Sequence, residues 1–267
     1  MTPLFIVGAV FAVTVLAGAL RRRREGTWRP HHRLPVLVAV VASLVLAATS
    51  SAPVDVRAMS SLPIHMVAHV VVMFLVPMAF VWSGVGCQLE MVMPEVIRRP
   101  LRRAWSRWAW RGDRSLLAST VILNAVMVAS HLPAVFNDAM SHPAVMNWIV
   151  EPTFLLSGWW FFGGLISAPG YPVPTRLSRQ LLAVVFTMGE MLILAMSMSI
   201  FTKTAWYQMS DAMGPMRMSF SSQQLAAAIL WICGDFWGVP LVVVIFRRLI
   251  DRDGSLLVAL DRRVRNV

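Results

Sequence analysis

Seven apolar stretches, each about as long as a bilayer is thick, constrain this chain more than any other feature. They cover approximately residues 4–20, 34–50, 63–86, 115–135, 147–167, 180–201 and 223–246. Lipid offers no hydrogen-bond partner to a bare backbone, so a stretch of roughly 17–25 apolar residues crosses a membrane as a helix. The sequence therefore predicts an all-α fold, with a single domain over residues 1–267 built as a bundle of seven transmembrane helices.

The composition supports this fold class and excludes several others. Of the 267 residues, 57% are hydrophobic and 14% are charged, and the mean hydropathy is +0.66. A soluble domain carries about 25% charged residues. The two cysteines, Cys87 and Cys233, give no disulfide framework. An ordinary cytosolic globule, a disordered chain and a disulfide-rich secreted module are therefore excluded.

The placement of basic residues predicts the orientation in the membrane. With the N-terminus outside, 21 of the 24 Lys and Arg residues fall in the cytoplasmic segments 21–33, 98–114, 176–179 and 247–267. Only Arg57, Lys203 and Arg217 remain outside. Because cytoplasmic loops are enriched in Lys and Arg, we expect an outer N-terminus and a cytoplasmic tail at 247–267. The block Arg21–Arg24 follows the first apolar stretch, so that stretch is interpreted as a retained helix and not as a signal peptide.

The net charge of +11 raises the possibility of nucleic-acid binding. The hydropathy instead favours a membrane protein whose basic loops bind anionic lipid headgroups at the cytoplasmic face. In the loop 94–114, Trp105, Trp108 and Trp110 alternate with arginines, which predicts an amphipathic helix in the membrane interface. No nucleic-acid partner is expected.

Histidines and methionines gather near the outer ends of two predicted spans. His65 and His69 are four residues apart and share one helix face, and Met73 continues that stripe one turn deeper. A histidine inside a span is costly and usually has a function, and imidazole with thioether suits Cu(I). The sequence therefore predicts a copper site, with hydrogen bonding to neighbouring helices as the alternative role of the histidine pair. The candidate ligands are His65, His69, Met66, Met73, His131 and His142.

Methionine is abundant, with 18 residues, and is unevenly distributed. Four lie in the sixth stretch and four in the outer loop that follows: Met188, Met191, Met196 and Met198, then Met209, Met213, Met216 and Met218. Methionine also fills irregular gaps in protein cores. Packing and metal contact therefore both remain open for these residues.

Two acidic residues, Glu190 and Asp235, lie at membrane depth. We expect both to face the interior or a wet cavity. A proton or ion route and a structural hydrogen bond to Asn124 or to a histidine are the alternatives. Motifs of hydrolases, metalloproteases, phosphate-binding loops and dinucleotide-binding folds are missing from the sequence, so the protein is not expected to be an enzyme.

Four short blocks carry a resemblance to a known family. They are Ser51-Ala52-Pro53-Val54-Asp55; His65-Met66-Val67-Ala68-His69 with Pro77; His131-Leu132-Pro133 with His142-Pro143 and Trp159-Trp160; and Gln223-Gln224-Leu225. In this order, from about residue 51 to 246, they resemble the CtaG-like cytochrome c oxidase assembly factors. Those are bacterial seven-span proteins tied to copper supply. The resemblance implies a multi-pass protein of the bacterial plasma membrane with cytochrome c oxidase as its partner.

The chain departs from that family where many relatives carry further histidines, because Met146 follows His142 by four and Pro152 follows Glu151. The expected function is an assembly factor that binds Cu(I) at the outer face and aids maturation of the copper centre in the oxidase catalytic subunit. One alternative is a permanent accessory subunit of the oxidase, or of a respiratory supercomplex, that holds no metal. Another is a carrier with a haem ligated by His69 and His131.

Overall fold

The computed structural model describes residues 2–100, 103, 112–166, 175–211 and 214–253. These residues are mainly helical, which confirms the predicted all-α fold apart from one short β-hairpin. The α-helices are α1 (Pro3–Arg24), α2 (Arg33–Thr49), α3 (Ala52–Ser60), α4 (Leu62–Val70), α5 (Val76–Ser83), α6 (Val85–Val92), α7 (Asp113–His131), α8 (Pro133–Ser141), α9 (Pro143–Val145), α10 (Glu151–Leu165), α11 (Leu177–Ser199) and α12 (Phe220–Asp253). A 3₁₀ turn covers Pro30–His32, π-helical turns cover Val71–Leu75 and Met146–Val150, and residues 95–100 are helical. The hairpin consists of β1 (Gln208–Asp211) and β2 (Gly214–Arg217).

Several helices are long and apolar enough to cross a membrane. Five runs qualify within the described ranges: Pro3–Arg24, Pro30–Thr49, Leu62–Ser83, Leu177–Ser199 and Phe220–Asp251. A sixth forms if α7 and α8 count as one bent span. The stretch predicted over 147–167 corresponds to α9, a π turn and α10, none of which reaches 18 residues. The count of seven therefore stays a prediction.

The fourth predicted stretch, 115–135, is not a straight helix. Its chain bends by 73° between α7 and α8. Leu132 is extended, at φ −65° and ψ 127°, because a residue before proline disfavours the helical region. Pro133 then starts α8. The prediction of a continuous helix to residue 135 was therefore wrong, and the bend leaves His131 at the last turn of α7.

The segment Leu62–Ser83 is the centre of the bundle. In its apolar window 67% of the residues are buried within the protein, against 28–33% in the other four candidate spans. It packs against α2, α10 and α12. Phe74 stacks on Trp237 of α12 with ring centroids 5.2 Å apart, and Phe162 of α10 meets the same indole at 5.5 Å. The candidate metal ligands on α4 are therefore held in the best-packed part of the molecule.

A proline and a glycine let α10 approach this central segment closely. Pro77 has no N–H to donate to the carbonyl of Met73, four residues before it, and the helix passes through the π turn Val71–Leu75 at this point. Gly158 of α10 packs against that carbonyl, and a Cβ there would collide with the Met73 oxygen and lie 3.0 Å from Pro77 Cγ. The contact requires glycine at position 158.

The loop after α11 contains the hairpin, which was not anticipated from the sequence. Antiparallel pairing joins Met209 to Met216 and Gln208 to Arg217, and β1 packs on α3 and α8. Met209 is fully buried and Met218 is half-buried, while Met213 lies outside the described residues. In α11, Met188 and Met191 fill the space beside Gly238 and Gly234 of α12. Packing therefore accounts for these two membrane methionines.

Two predicted basic elements are described only in part. The amphipathic helix expected in 94–114 begins with helical residues 95–100, where Arg99 pairs with Glu95 at 2.8 Å. Trp105, Trp108 and Trp110 lie outside the described residues, as does the tail from 254 onward. The prediction that these elements bind anionic lipid therefore stays untested.

Gly158→Ala should destabilise the protein because its methyl group would force α10 away from the Met73 carbonyl. Overpacking of this kind costs about 1–3 kcal/mol, so the melting temperature in detergent, followed by tryptophan fluorescence, should fall by several degrees. Gly163→Ala is the matched control, since it lies on the same helix and its Cβ would meet no atom within 4 Å. Equal melting temperatures for the two variants would contradict the proposed close contact.

Candidate functional site

Five of the six predicted ligands are buried together in the interior, and we call them the histidine–methionine cluster. The cluster consists of His65, Met66, His69, Met73 and His131, whose side chains are only 0–6% exposed. α4 supplies the first three, the π turn supplies Met73, and α7 supplies His131. Because His65 and His69 are one turn apart, their rings lie against each other with centroids 4.1 Å apart.

A contact between histidine and sulfur joins the two helices that carry the cluster. His131 Nε2 lies 3.4 Å from Met66 Sδ, and the rings of His69 and His131 are 6.4 Å apart. Met73 is buried four residues after His69, in the π turn, where its carbonyl meets Gly158. The predicted convergence of α4 and α7 through their soft side chains is therefore present.

Three ring nitrogens in the cluster are buried and have no hydrogen-bond partner among the described residues. They are His65 Nε2 and both nitrogens of His69. His65 has one backbone hydrogen bond, to Ala58. His131 Nδ1 is held by the Met127 carbonyl at 2.7 Å, which leaves Nε2 to face Met66. An unsatisfied buried polar group costs about 1–3 kcal/mol, so a ligand that engages these nitrogens would relieve a real penalty.

Aromatic rings enclose the cluster and exclude water from it. Phe154 packs edge-on against His69 at 4.6 Å, and Phe136 packs against His65 at 5.3 Å. Tyr207 contacts Phe136 at 4.5 Å, and its hydroxyl donates to the His131 carbonyl at 2.7 Å. Burial raises the pKa of the Tyr207 phenol, so it remains a protonated donor at neutral pH. Tyr207 therefore closes the outer end of the cluster.

Side-chain amides fix the segment that carries Tyr207. Gln223 of α12 accepts from the Trp206 N–H at 2.7 Å and donates to the Met198 carbonyl at 2.7 Å. Asn137 of α8 accepts from the Gln208 N–H at 2.9 Å. These bonds tie the loop to α8 and α12 and fasten α12 to the end of α11. Gln223, noted in the sequence as the start of the last block, thus acts here as a structural clamp.

His142 is not part of this arrangement. Its side chain is 61% exposed, and Nδ1 lies 2.9 Å from the Asp138 carbonyl one turn earlier in α8. Because the chain bends by 73° between α7 and α8, the helix that leads to His142 runs in a different direction from the helix that ends at His131. The structure therefore brings five of the six predicted ligands to one region and leaves the sixth at the surface.

Carboxylates do not complete a conventional metal site. Within the described ranges, no group of three His, Cys, Asp or Glu residues is placed to hold a metal ion. Glu151 of α10 has a buried oxygen without a partner and lies close enough to Asp55 of α3 for the two to interact electrostatically. Any ion bound in the cluster would therefore rely on thioether as well as imidazole ligands.

The two acids at membrane depth have different surroundings. Both carboxylate oxygens of Glu190 are buried and lack a partner in the described part of the chain, and Asn124 instead donates to the Thr187 hydroxyl at 3.0 Å. Asp235 was expected to face the interior or a wet cavity; it is exposed on the surface of α12, so the interior placement was wrong. Its position on the helix, opposite the buried Ala226 and Trp237, explains this exposure.

A comparison with family models decides the affiliation of the chain. Residues 11–252 match the cytochrome c oxidase caa3 assembly factor model. The chain belongs to the cytochrome c oxidase caa3 assembly factor family. This confirms the resemblance found in the sequence, and the matched range contains the whole histidine–methionine cluster. No curated protein and no solved structure matched the chain.

In this family member, sequence reasoning missed the residues that close and support the cluster. Tyr207 is one of only two tyrosines in the chain and lies in the methionine-rich outer loop. The rarity of tyrosine in this chain and the position of Tyr207 in a methionine-rich loop could have indicated a specific role for it. Phe136, Phe154 and Asn137 gave none, because their roles depend on the bend at Leu132 and on the hairpin.

Chemical modification should distinguish the buried histidines from the exposed ones. Diethyl pyrocarbonate should modify His31 and His142 readily and spare His65, His69 and His131, as measured by peptide mass spectrometry. Tyr207→Ala should increase modification of the three buried histidines because it opens the outer end of the cluster. Trp148→Ala, which removes an aromatic side chain that is 66% exposed, is the control. Wild-type protein whose buried histidines react as fast as His142 would refute this enclosure.

Proposed function

We propose that the protein binds Cu(I) at the histidine–methionine cluster and passes it to the copper centre of the cytochrome c oxidase catalytic subunit during assembly. The observation that carries this proposal is the set of three buried, unpartnered imidazole nitrogens of His65 and His69. The ring of His131, which contacts the Met66 thioether, lies 6.4 Å from the ring of His69. Soft sulfur and neutral imidazole ligands select Cu(I) over hard divalent cations. Copper is the cargo in this proposal, and the protein acts without catalysis.

The chemistry of the cluster suits a carrier better than a storage site. His65 and His69 offer nitrogens from one helix face, and Met66 and His131 add donors where α4 meets α7. A site with few ligands and thioether donors holds Cu(I) less tightly than a complete histidine cage, so the ion can be exchanged. The enclosing rings of Phe136, Phe154 and Tyr207 keep water away from it in the meantime.

Charge balance also supports a monovalent cation. Imidazole and thioether ligands are neutral, so one bound Cu(I) places a single positive charge in a poorly solvated interior. Glu151 lies one turn before Phe154 on α10 and carries a buried oxygen without a partner. A divalent ion would leave a larger uncompensated charge.

The proposal includes seven spans in the bacterial plasma membrane, with the N-terminus outside and the C-terminus in the cytoplasm. The continuous helical run from Pro143 to Leu165 contains most of the predicted span over 147–167. Counting this run brings the number of spans to seven, because a π turn bends a helix without ending it. The arginine distribution supports the direction. In this orientation the histidine–methionine cluster and the hairpin lie on the outer side.

A permanent accessory subunit without metal is the second candidate. The exposed His142, together with the fact that no three His, Cys, Asp or Glu among the described residues form a chelating group, favours it. A stable subunit would co-purify with the mature oxidase in fixed proportion, whereas an assembly factor would not. A haem between His69 and His131 is disfavoured because Met66 Sδ already lies against His131 Nε2.

Copper analysis tests the proposal directly. Purified protein reduced and loaded with Cu(I) should hold about one ion per chain. The double variant His65→Ala with His69→Ala should lose it, and Met66→Leu, which keeps the volume, should weaken it because the sulfur is lost. His142→Ala should bind like the wild type. Unchanged copper content of the oxidase in cells that carry the double variant would overturn delivery through this pair.

Cysteine labelling tests the orientation. In a background with Cys87 and Cys233 replaced by serine, Thr204→Cys and Arg29→Cys each place a thiol at an exposed position. A membrane-impermeant maleimide should label the first in intact spheroplasts and the second only after permeabilisation. The reverse pattern would invert the proposed topology, and labelling of both in intact spheroplasts would contradict the span count.

A further inference from the structure

Asp235 occupies an unusual position for a carboxylate. It lies at the middle of the apolar run Phe220–Asp251, and it is exposed. At about 1.5 Å per residue, either end of that run is roughly 22 Å away. The aspartate side chain is too short to reach either membrane interface. In the isolated protein this carboxyl therefore faces the hydrocarbon region of the bilayer.

The residues around Asp235 form one exposed face of α12. Trp231, Ile232, Phe236 and Val239 are 48–68% exposed and lie within four residues of Asp235. No hydrogen bond or ion pair joins Asp235 to any residue that the structure describes. Lipid tails satisfy the apolar neighbours, so those neighbours need no protein partner. The carboxyl of Asp235 does need a protein partner. Placing an ionisable group inside a membrane costs free energy, and such groups pair with other polar groups.

The opposite face of α12 is already occupied. Trp237 is buried against Phe74, and Gly234 packs against Met191 of α11. α12 also contacts α4, which carries His65 and His69. Asp235 therefore cannot turn inward to satisfy its carboxyl without displacing the best-packed part of the bundle. Since no residue that the structure describes is placed to pair with it, we look to a helix of another chain for its partner.

We propose that this face of α12, formed by Trp231, Ile232, Asp235, Phe236 and Val239, docks a transmembrane helix of cytochrome c oxidase. That helix presents a hydrogen-bond donor or a cation (Arg, Lys, His, Asn or Gln) to Asp235. The inference rests on the oxidase as the partner, as the family indicates. A second copy is a poorer occupant, because a two-fold axis through this face would bring two carboxyls together.

The experiment measures association and stability in parallel. Asp235→Leu should reduce recovery of the host's caa3-type oxidase on the affinity-tagged protein in detergent by roughly three- to twentyfold, the range expected for one interhelical hydrogen bond. Asp235→Asn should retain part of the recovery. Asp251→Leu, the same change at an exposed position near the cytoplasmic end of α12, should behave like the wild type. The isolated Asp235→Leu protein should melt at or above the wild-type temperature.

Each outcome separates docking from other roles. A lowered melting temperature for Asp235→Leu would assign Asp235 a structural role and overturn the proposal, as would undiminished recovery of the oxidase. A photo-crosslinking residue at position 236 should capture an oxidase subunit in native membranes, and a crosslink only between two copies would refute the chosen occupant. Copper binding by purified Asp235→Leu protein should equal that of the wild type, so failure of docking and failure of the copper proposal are distinguishable.

Discussion

The contact between Gly158 and the Met73 carbonyl fixes how closely α10 packs against the segment that carries four of the five cluster residues. Pro77 cannot donate to that carbonyl, the helix opens into a π turn there, and α10 moves in where a side chain would have kept it away. The same approach brings Phe154, one turn before Gly158, against His69. This backbone contact therefore positions Phe154 against the cluster residues of the central segment, while α7, α8 and the loop after α11 place His131, Phe136 and Tyr207.

Sequence reasoning succeeded where periodicity alone determines the outcome. A spacing of four places His65 and His69 on one face of any helix, and apolar stretches of bilayer length become helices whatever packs around them. It failed where two elements must meet. The bend at Leu132 separates His142 from the cluster. Asp235 faces outward because Trp237 and Gly234 lie on the inner face of α12, where they pack against Phe74 and Met191. Such outcomes depend on which elements pack against each other in the folded protein. Local sequence patterns do not determine that packing.

The methionines and histidines differ in how well their surroundings satisfy them, and this difference bears on function. Met188 and Met191 fill the space beside two glycines, as ordinary packing residues do. His65 and His69 instead bury ring nitrogens that no described group satisfies. Replacing them with apolar residues of similar size would remove that penalty. Stability alone therefore does not explain their presence in the most buried segment of the chain, which is why they carry the copper proposal.

The proposed copper site would also require a way in, and the segment with Tyr207 is the element that covers the cluster at the end of α7. The helices that carry the cluster are held by aromatic packing and by the Gly158 contact, whereas the segment with Tyr207 is held by the amides of Asn137 and Gln223 and by the burial of Tyr207 and Met209. Since the Tyr207 hydroxyl bonds to the His131 carbonyl, lifting this segment would also free the end of α7. Access to the cluster and the position of one of its ligands are therefore coupled.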